Sequence, residues 1–285
     1  MNPNKLYFPL VTRSKITKEQ RTNQYSNPYI KSGYRYKYNF RQSLFSILRL
    51  HNETINIWSH LVCFFLAIAF YIKEFANNTS VLSLSFTDKL IFSIYLFGCL
   101  MCFANSTILH LFDCGSLELS KLLLKLDFTG ISTMILSSFL PPLYFVFNKN
   151  DLLRNSYMIV ILVLVLLLIF FTWFQQSFFV NTRWARTLFY SVVVASGLIP
   201  TFHALFVVPS PLCWVLFAYI MSMFVSYLLG VICYAFYIPE RWIRWDKLDY
   251  YFHSHQWWHF FVATAAYIHF KMILKSIDYY LYSQI

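Results

Sequence analysis

The sequence predicts an all-α, polytopic membrane protein with seven transmembrane helices. The chain has 285 residues, of which 58% are hydrophobic and only 12% are charged, whereas about a quarter of the residues in an average soluble domain are charged. Seven apolar runs follow a polar tail, and seven spans of about 20 residues need roughly 140 residues. We therefore expect a tail over residues 1–54 and one seven-helix membrane domain over residues 55–280.

The tail is polar and aromatic, with scattered basic residues. Residues 43–50 are apolar at helical spacing and have Arg41 and Arg49 beside them, which predicts a short amphipathic helix at the membrane interface. The first residues lack the apolar core of a signal peptide. We therefore expect the first apolar run to remain as a true span.

The seven apolar runs predict seven helices, with boundaries good to roughly two to four residues. The runs cover residues 55–76, 88–112, 125–147, 156–176, 185–206, 211–236 and 252–276. The connections between them are short and polar or contain proline, as turns require. Pro141, Pro142 and Pro200 interrupt helical runs, and we expect kinks there.

Charge predicts the orientation. Most of the 23 lysines and arginines lie in the tail or in loops on its side of the membrane, which places the N-terminus in the cytoplasm by the positive-inside rule. An odd number of spans then places the C-terminus on the extracellular or luminal side. The net charge of +11 is therefore expected to face anionic lipid, and we expect no nucleic-acid partner.

Ionisable residues inside a membrane usually mark function, and several of them meet at one end of the predicted bundle. His110 closes the second run, Asp127 opens the third, and His255 and His259 open the seventh. His255 and His259 are four residues apart, so both rings project from one helix face. With His110 they form a candidate three-histidine metal site that leaves the fourth position for water, as in catalytic zinc sites.

Two further residues are candidates for catalysis at this site. Asp127 can hold the water or accept its proton, and Ser106, four residues before His110, can hydrogen-bond the water or support a ligand. An alternative is haem held by two histidines. Haem requires axial histidines on opposing helices and no carboxylate beside the iron, so Asp127 argues against it.

The other histidines have structural interpretations. We expect His60 to make a hydrogen bond between helices and His253 to point away from the pair. His203 closes the fifth run, at the opposite end of the bundle, and cannot be a ligand. His269, ten residues past His259, is expected on another side of the helix.

Several motifs occur together in the order typical of one family. They are NPYIKSGYR (27–35), HNETINIWSH (51–60), Ser106 to His110, KLDFTGI (125–131), SGLIPTFH (196–203), IPER (238–241) and SHQWWHFFV (254–262). With these motifs the chain resembles the progestin and adipoQ receptor family, which includes the adiponectin receptors and the haemolysin-III-like proteins. The resemblance extends from about residue 27 to about residue 270.

The resemblance implies Zn²⁺ held by His110, His255 and His259 near the cytoplasmic face, with the water assigned to Asp127. It also implies ceramidase-like hydrolysis of a lipid amide, or a receptor for lipid or hormone. The expected partners are a ceramide-like or sterol-like lipid and an extracellular hormone or cytosolic signalling protein. A receptor or scaffold with purely structural zinc is the alternative. The expected location is the plasma membrane, the Golgi or the endoplasmic reticulum.

Overall fold

The structure is a computed structural model that describes residues 9–18, 27–174, 183–208 and 210–284. Seven helices in it are long and apolar enough to cross a membrane, which confirms the all-helical, seven-span prediction. We number them span 1 to span 7 in chain order: Thr54–Asn77, Phe86–Phe112, Leu117–Val146, Asp151–Phe174, Trp184–Val207, Leu212–Phe236 and Ser254–Tyr282. The described residues contain no β-strand, only an isolated bridge between Val11 and Tyr34.

Parts of the predicted segments lie outside the described residues, namely tail residues 1–8 and 19–26 and residues 175–176 of the fourth run. The span boundaries differ most from prediction at span 3, which begins at Leu117, eight residues before the predicted start. The Ser116 side chain accepts a hydrogen bond from the Leu119 amide at 3.2 Å and so caps the first turn. The acidic Glu118 in that turn suits the positive end of the helix dipole.

Prolines act differently in span 3 and span 5. Span 3 continues as one helix through Pro141 and Pro142. Span 5 consists of two helices, Arg183–Ala195 and Leu198–Val207, with Pro200 in the first turn of the second helix. Proline is tolerated in a first turn because its missing N–H would have no helical partner there.

Spans 2 and 3 pack closely because glycines face the neighbouring helix. A Cβ at Gly98 would lie 1.7 Å from Ser137 Oγ, and a Cβ at Gly130 would lie 3.0 Å from Cys102 Cα. Small residues at such positions let helix backbones approach in membranes. The close approach fixes spans 2 and 3 against each other near their middles, and these two spans contain His110 and Asp127 of the candidate site.

The tail contains one described α-helix, Phe40–Ser46, which starts three residues before the predicted amphipathic segment. Asn39 and Gln42 form a capping box at its start. Phe40 is 71% exposed and Leu44 is 46% exposed, whereas Ser46 is buried. The apolar side chains of this helix therefore point away from the protein, which favours the interfacial placement; that placement stays a prediction.

Span parity divides the molecule into two ends. The end of span 2 and the starts of spans 1, 3, 5 and 7 share one end, which we call the histidine end. The opposite end, which contains the start of span 2 and the end of span 7, is the far end.

Candidate metal centre

Three histidines meet at the histidine end. His110 comes from the last turn of span 2, and His255 and His259 come from the first two turns of span 7. One ring nitrogen from each lies within 4.8 Å of the other two. His110 and His259 are buried, and His255 is half-buried.

The spacing of the ring nitrogens suits a shared metal ion. Nε2 of His255 lies 3.1 Å from Nε2 of His110. Two nitrogens bound to one tetrahedral zinc ion at about 2.0–2.1 Å stand roughly 3.3 Å apart. The three histidines therefore fit a zinc ion, and the group is consistent with a metal site. The fold therefore brings the three predicted ligands together.

The second nitrogen of His110 is held by Glu53, the residue just before span 1. Nδ1 of His110 lies 2.8 Å from Glu53 Oε2, and a carboxylate can only accept, so His110 donates from Nδ1–H. This fixes the tautomer and leaves the Nε2 lone pair free for a metal ion.

Ser59 holds His259 in the same way. The Ser59 hydroxyl donates to the Asn56 carbonyl oxygen at 3.0 Å, so it accepts from His259 Nδ1 at 2.9 Å. His259 therefore also presents Nε2 as a lone pair. Two histidines from different spans are thus oriented by one short stretch at the start of span 1.

Glu53 itself is fixed by amide donors. Asn56 Nδ2 donates to Glu53 Oε2, and Asn52 Nδ2 donates to Oε1 at 3.2 Å. Burial acts to raise the pKa of the Glu53 carboxyl, but the hydrogen bonds from His110 and Asn56 oppose burial, and that pKa lies below its ordinary value. Glu53 is thus a carboxylate suited to accept from His110.

His60 is placed differently from the prediction. Its ring stacks on the His259 ring with centroids 3.7 Å apart and planes at 7°. Neither ring nitrogen has a hydrogen-bond partner among the described residues, so the predicted hydrogen bond between helices is wrong. Span 1 is rotated so that the flat face of the His60 ring, and not its nitrogen-bearing edge, points toward span 7.

Asp127 and Ser106 lie near the three histidines and line the same cavity. The Ser106 hydroxyl lies beside the Asp127 carboxyl. Asn105 Nδ2 donates to the Leu126 carbonyl at 3.0 Å and ties span 2 to span 3 at this level. The catalytic roles of Asp127 and Ser106 stay predictions.

Arg35 supports the end of span 2 from the tail. It is 1% exposed, and its guanidinium donates to the carbonyl oxygens of His110 and Leu111 and to Ser46 Oγ. It also lies 3.5 Å from the Asp113 carboxylate. Burial raises the pKa of Asp113 to about 7, with the Glu53 charge adding to the rise and Arg35 opposing it.

The tail segment 27–35 covers the histidine end, and we call it the cap. Asn27 Nδ2 donates to Glu240 at 2.8 Å, while the Lys31 amide and the Ser32 hydroxyl donate to Asp249 at 2.9 and 2.6 Å. These bonds join the cap to the loop between spans 6 and 7. The loop therefore positions both the cap and the first turn of span 7.

Three supporting residues were missed in the sequence: Glu53, Ser59 and Arg35. Glu53 and Ser59 stand inside the motif HNETINIWSH, and a carboxylate directly before an apolar span was the available signal. Arg35 ends the motif NPYIKSGYR, but nothing in the local pattern of the tail predicts its burial.

The other histidines lie outside the three-histidine group, as expected. His253 precedes the first residue of span 7, and its Nε2 lies 3.2 Å from the Asn52 carbonyl oxygen instead of capping the helix. Burial lowers its pKa. His203 lies in span 5, 2.7 Å from the Tyr157 hydroxyl through Nδ1.

A cavity of about 660 Å³ leads from the histidines into the bundle. Tyr34 of the cap and the three histidines line one part, and Phe147 and Cys213 near the far end line another. Its wall is mostly apolar. A cavity of this size and character suits a lipid chain.

Several known proteins are similar to this chain in sequence. The family described as haemolysin-III related matches residues 48–270. The chain is 31% identical over 262 residues to heptahelical transmembrane protein 1 of Arabidopsis thaliana, covering 89% of this chain and 78% of that protein. It is 33% identical over 247 residues to progestin and adipoQ receptor family member 3 of Mus musculus, covering 85% and 78%.

The adiponectin receptor protein of Drosophila melanogaster is 31% identical over 244 residues, which cover 84% of this chain and 54% of that protein. The chain thus spans about half the length of that relative. The family match contains all three histidines and the supporting stretch at the start of span 1. The chain therefore belongs to the haemolysin-III-related family of progestin and adipoQ receptors.

Proposed function

We propose that the protein is a zinc-dependent hydrolase of lipid amides of the ceramide type. One observation carries the proposal: the three clustered histidines and Asp127 line a long, mostly apolar cavity. An amide carbonyl can lie at the histidines while its acyl chain lies in the cavity. His110, His255 and His259 would hold the ion, and zinc, when bound, supplies a Lewis acid that activates water and polarises the carbonyl.

The residues of the chain supply the proton transfer. Asp127 accepts a proton from the attacking water, whose oxygen forms the bond to the acyl carbon. The C–N bond breaks, and Asp127 returns the proton to the departing amine. Ser106 holds the Asp127 carboxyl in place. The products are a fatty acid and a sphingoid base, and together they contain every atom of the amide and the water.

The test compares purified wild-type protein with Asp127→Asn and His255→Ala on detergent-solubilised ceramide. We expect fatty acid release only from the wild type. Asp88→Asn and His203→Ala are matched controls, because both residues lie at the far end, and both should retain wild-type turnover. Equal turnover in Asp127→Asn and wild type would exclude this function.

A receptor is the second candidate, favoured by the names of the relatives, which include an adiponectin receptor. In that case a ligand outside the cell or in the bilayer shifts the helices, and zinc only joins spans 2 and 7. A ligand response that survives in Asp127→Asn but is lost in His110→Ala would favour the receptor over the hydrolase. A scaffold would instead depend on the tail. Deleting residues 1–26 leaves the cap in place, so the deletion should abolish a scaffold role and spare hydrolysis.

We further propose that the histidine end faces the cytoplasm, on the basis of the basic tail. Protease access to the tail in sealed vesicles tests this placement. Cleavage from the cytosolic side is expected, and protection from that side would reverse the orientation.

A further inference from the structure

A second polar site lies deep in the same cavity, at His269 of span 7. His269 is ten residues beyond His259, or about 15 Å along the helix. It is 5% exposed and lines the cavity. The sequence suggested that it lies on another side of the helix, but the cavity is wide enough for both histidines to border it.

One nitrogen of His269 replaces a bond that a proline removes. Pro142 has no N–H, so the Ser138 carbonyl four residues earlier loses its helical donor. His269 Nε2 lies 2.7 Å from that oxygen. A carbonyl only accepts, so Nε2 carries the hydrogen, and in the neutral ring Nδ1 is left as an acceptor.

The Nδ1 lone pair of His269 meets no donor among the described residues. Its neighbour is Met223 Sδ at 3.1 Å, and a thioether sulfur carries no hydrogen. A second proton on the ring would place a charge in the middle of the membrane, which is costly. The nitrogen is therefore a buried acceptor with its bond unmade.

Tyr227 is the second member of this site. It stands four residues after Met223 on span 6, so both side chains lie on one helix face, and both line the cavity. Its hydroxyl makes no hydrogen bond to the part of the chain that the structure describes. We call His269 and Tyr227 the floor pair.

We propose that the floor pair binds a hydroxyl group in the middle of a lipid chain. The hydroxyl displaces the flexible Met223 thioether from beside His269 Nδ1, donates to that nitrogen and accepts from the Tyr227 hydroxyl, so both unmade bonds are completed. A chain whose polar head lies at the three histidines reaches the floor pair after roughly 12 carbons, since each carbon–carbon bond of about 1.5 Å advances an extended chain by about 1.25 Å. The ligand class is thus a lipid hydroxylated near the twelfth carbon.

The inference rests on the proposed function only in placing the lipid head at the histidines. Binding of fatty acids, which would be products of the proposed hydrolysis, tests it without turnover. The probes are stearate, 2-hydroxystearate and 12-hydroxystearate, measured against the purified metal-loaded protein in detergent. We expect 12-hydroxystearate to bind about tenfold more tightly than stearate, because the net gain from completing the two buried hydrogen bonds is offset by the cost of desolvating the ligand hydroxyl, and 2-hydroxystearate to show no such gain.

Variants separate the floor pair from general packing. Tyr227→Phe removes one hydroxyl and leaves the bond to Ser138, so it should reduce the preference for 12-hydroxystearate. His269→Phe should abolish the preference, and Met223→Leu, which replaces the thioether with an alkyl group of similar size, should keep it. A folded His269→Phe protein that binds stearate normally but discriminates no longer would support the proposal.

Two results would overturn the inference. One is equal affinity of the wild type for stearate and 12-hydroxystearate. The other is a preference that persists in both Tyr227→Phe and His269→Phe. If ceramide is not hydrolysed but the preference is present, the proposed function fails and the floor pair stands.

Discussion

The two ends of the bundle hold their carboxylates in opposite ways. At the histidine end, Glu53 accepts a hydrogen bond from His110, 57 residues away in sequence, and both side chains are at least 85% buried. At the far end, Arg154 pairs with Asp151 and Lys275 pairs with Asp278, each three residues away on its own helix. The far-end pairs are also more exposed; the Asp151 side chain, for example, is 76% exposed.

The difference shows where the fold fixes charge. Buried groups that join separate elements must keep their partners, because an unpaired buried charge is expensive. Exposed pairs within a helix contribute little and are screened by water and salt. The closest far-end counterpart is Asp88, which accepts from Ser85 at 2.7 Å and Tyr144 at 2.9 Å and has no histidine or cationic partner within the part of the chain that the structure describes. The histidine end is therefore the part of the molecule built around charge.

Removing a metal ligand should have the largest effect. His110→Ala, His255→Ala or His259→Ala should each abolish the zinc dependence of thermal unfolding in detergent. A ligand at a thousand times its dissociation constant stabilises the folded state by about 4 kcal/mol, so the wild type should melt well above each variant in zinc. His203→Ala, at the far end, should retain the full zinc response. A ligand variant that also retains it would contradict the claimed difference between the two ends.

Arg35→Met should have the next largest effect. It removes the cation beside the buried Asp113 carboxylate and the guanidinium donors to the carbonyl oxygens of His110 and Leu111 at the end of span 2. Breaking a buried pair typically costs about 3–5 kcal/mol, and denaturant titration in micelles measures the loss. Arg41→Met, on the exposed side of the short tail helix, should change stability by less than about 0.5 kcal/mol. Equal losses in the two variants would contradict the burial argument.

Glu53→Gln removes the charge of the carboxylate and changes the side-chain volume very little. His110 then loses the carboxylate that orients it, and metal affinity should fall about 10- to 100-fold. Competition with a zinc chelator measures this change. Glu74→Gln is the matched control, since Glu74 lies at the far end of the same span and bonds Asn78. Unchanged affinity in Glu53→Gln would show that the bond to His110 is incidental.

The smallest effect is expected from Lys275→Ala at the far end. Its partner Asp278 is three residues away, and the two side chains are 46% and 37% exposed. Pairs of this kind contribute about 0–1 kcal/mol, and raising the salt concentration should reduce even that. A loss of more than about 2 kcal/mol in the free energy of unfolding, measured by the same denaturant titration, would show that the far-end pair stabilises the fold as strongly as a buried pair does.

The sequence was sufficient for the parts of the site that depend on helix period and span count. His255 and His259 share a face because they are four residues apart, and parity alone brings His110 and Asp127 to the same end. Sequence periodicity does not determine how a helix is rotated or where a tail runs. For that reason the stacking of His60 and the burial of Arg35 appeared only in the structure.

The most direct test of the account is zinc K-edge X-ray absorption on the purified protein, combined with metal quantification. We expect one zinc per chain with three imidazole nitrogen ligands at about 2.0–2.1 Å and one oxygen ligand, and loss of the signal in His110→Ala. A protein without stoichiometric metal, or zinc bound through sulfur, would contradict the claim that His110, His255 and His259 hold a metal ion together.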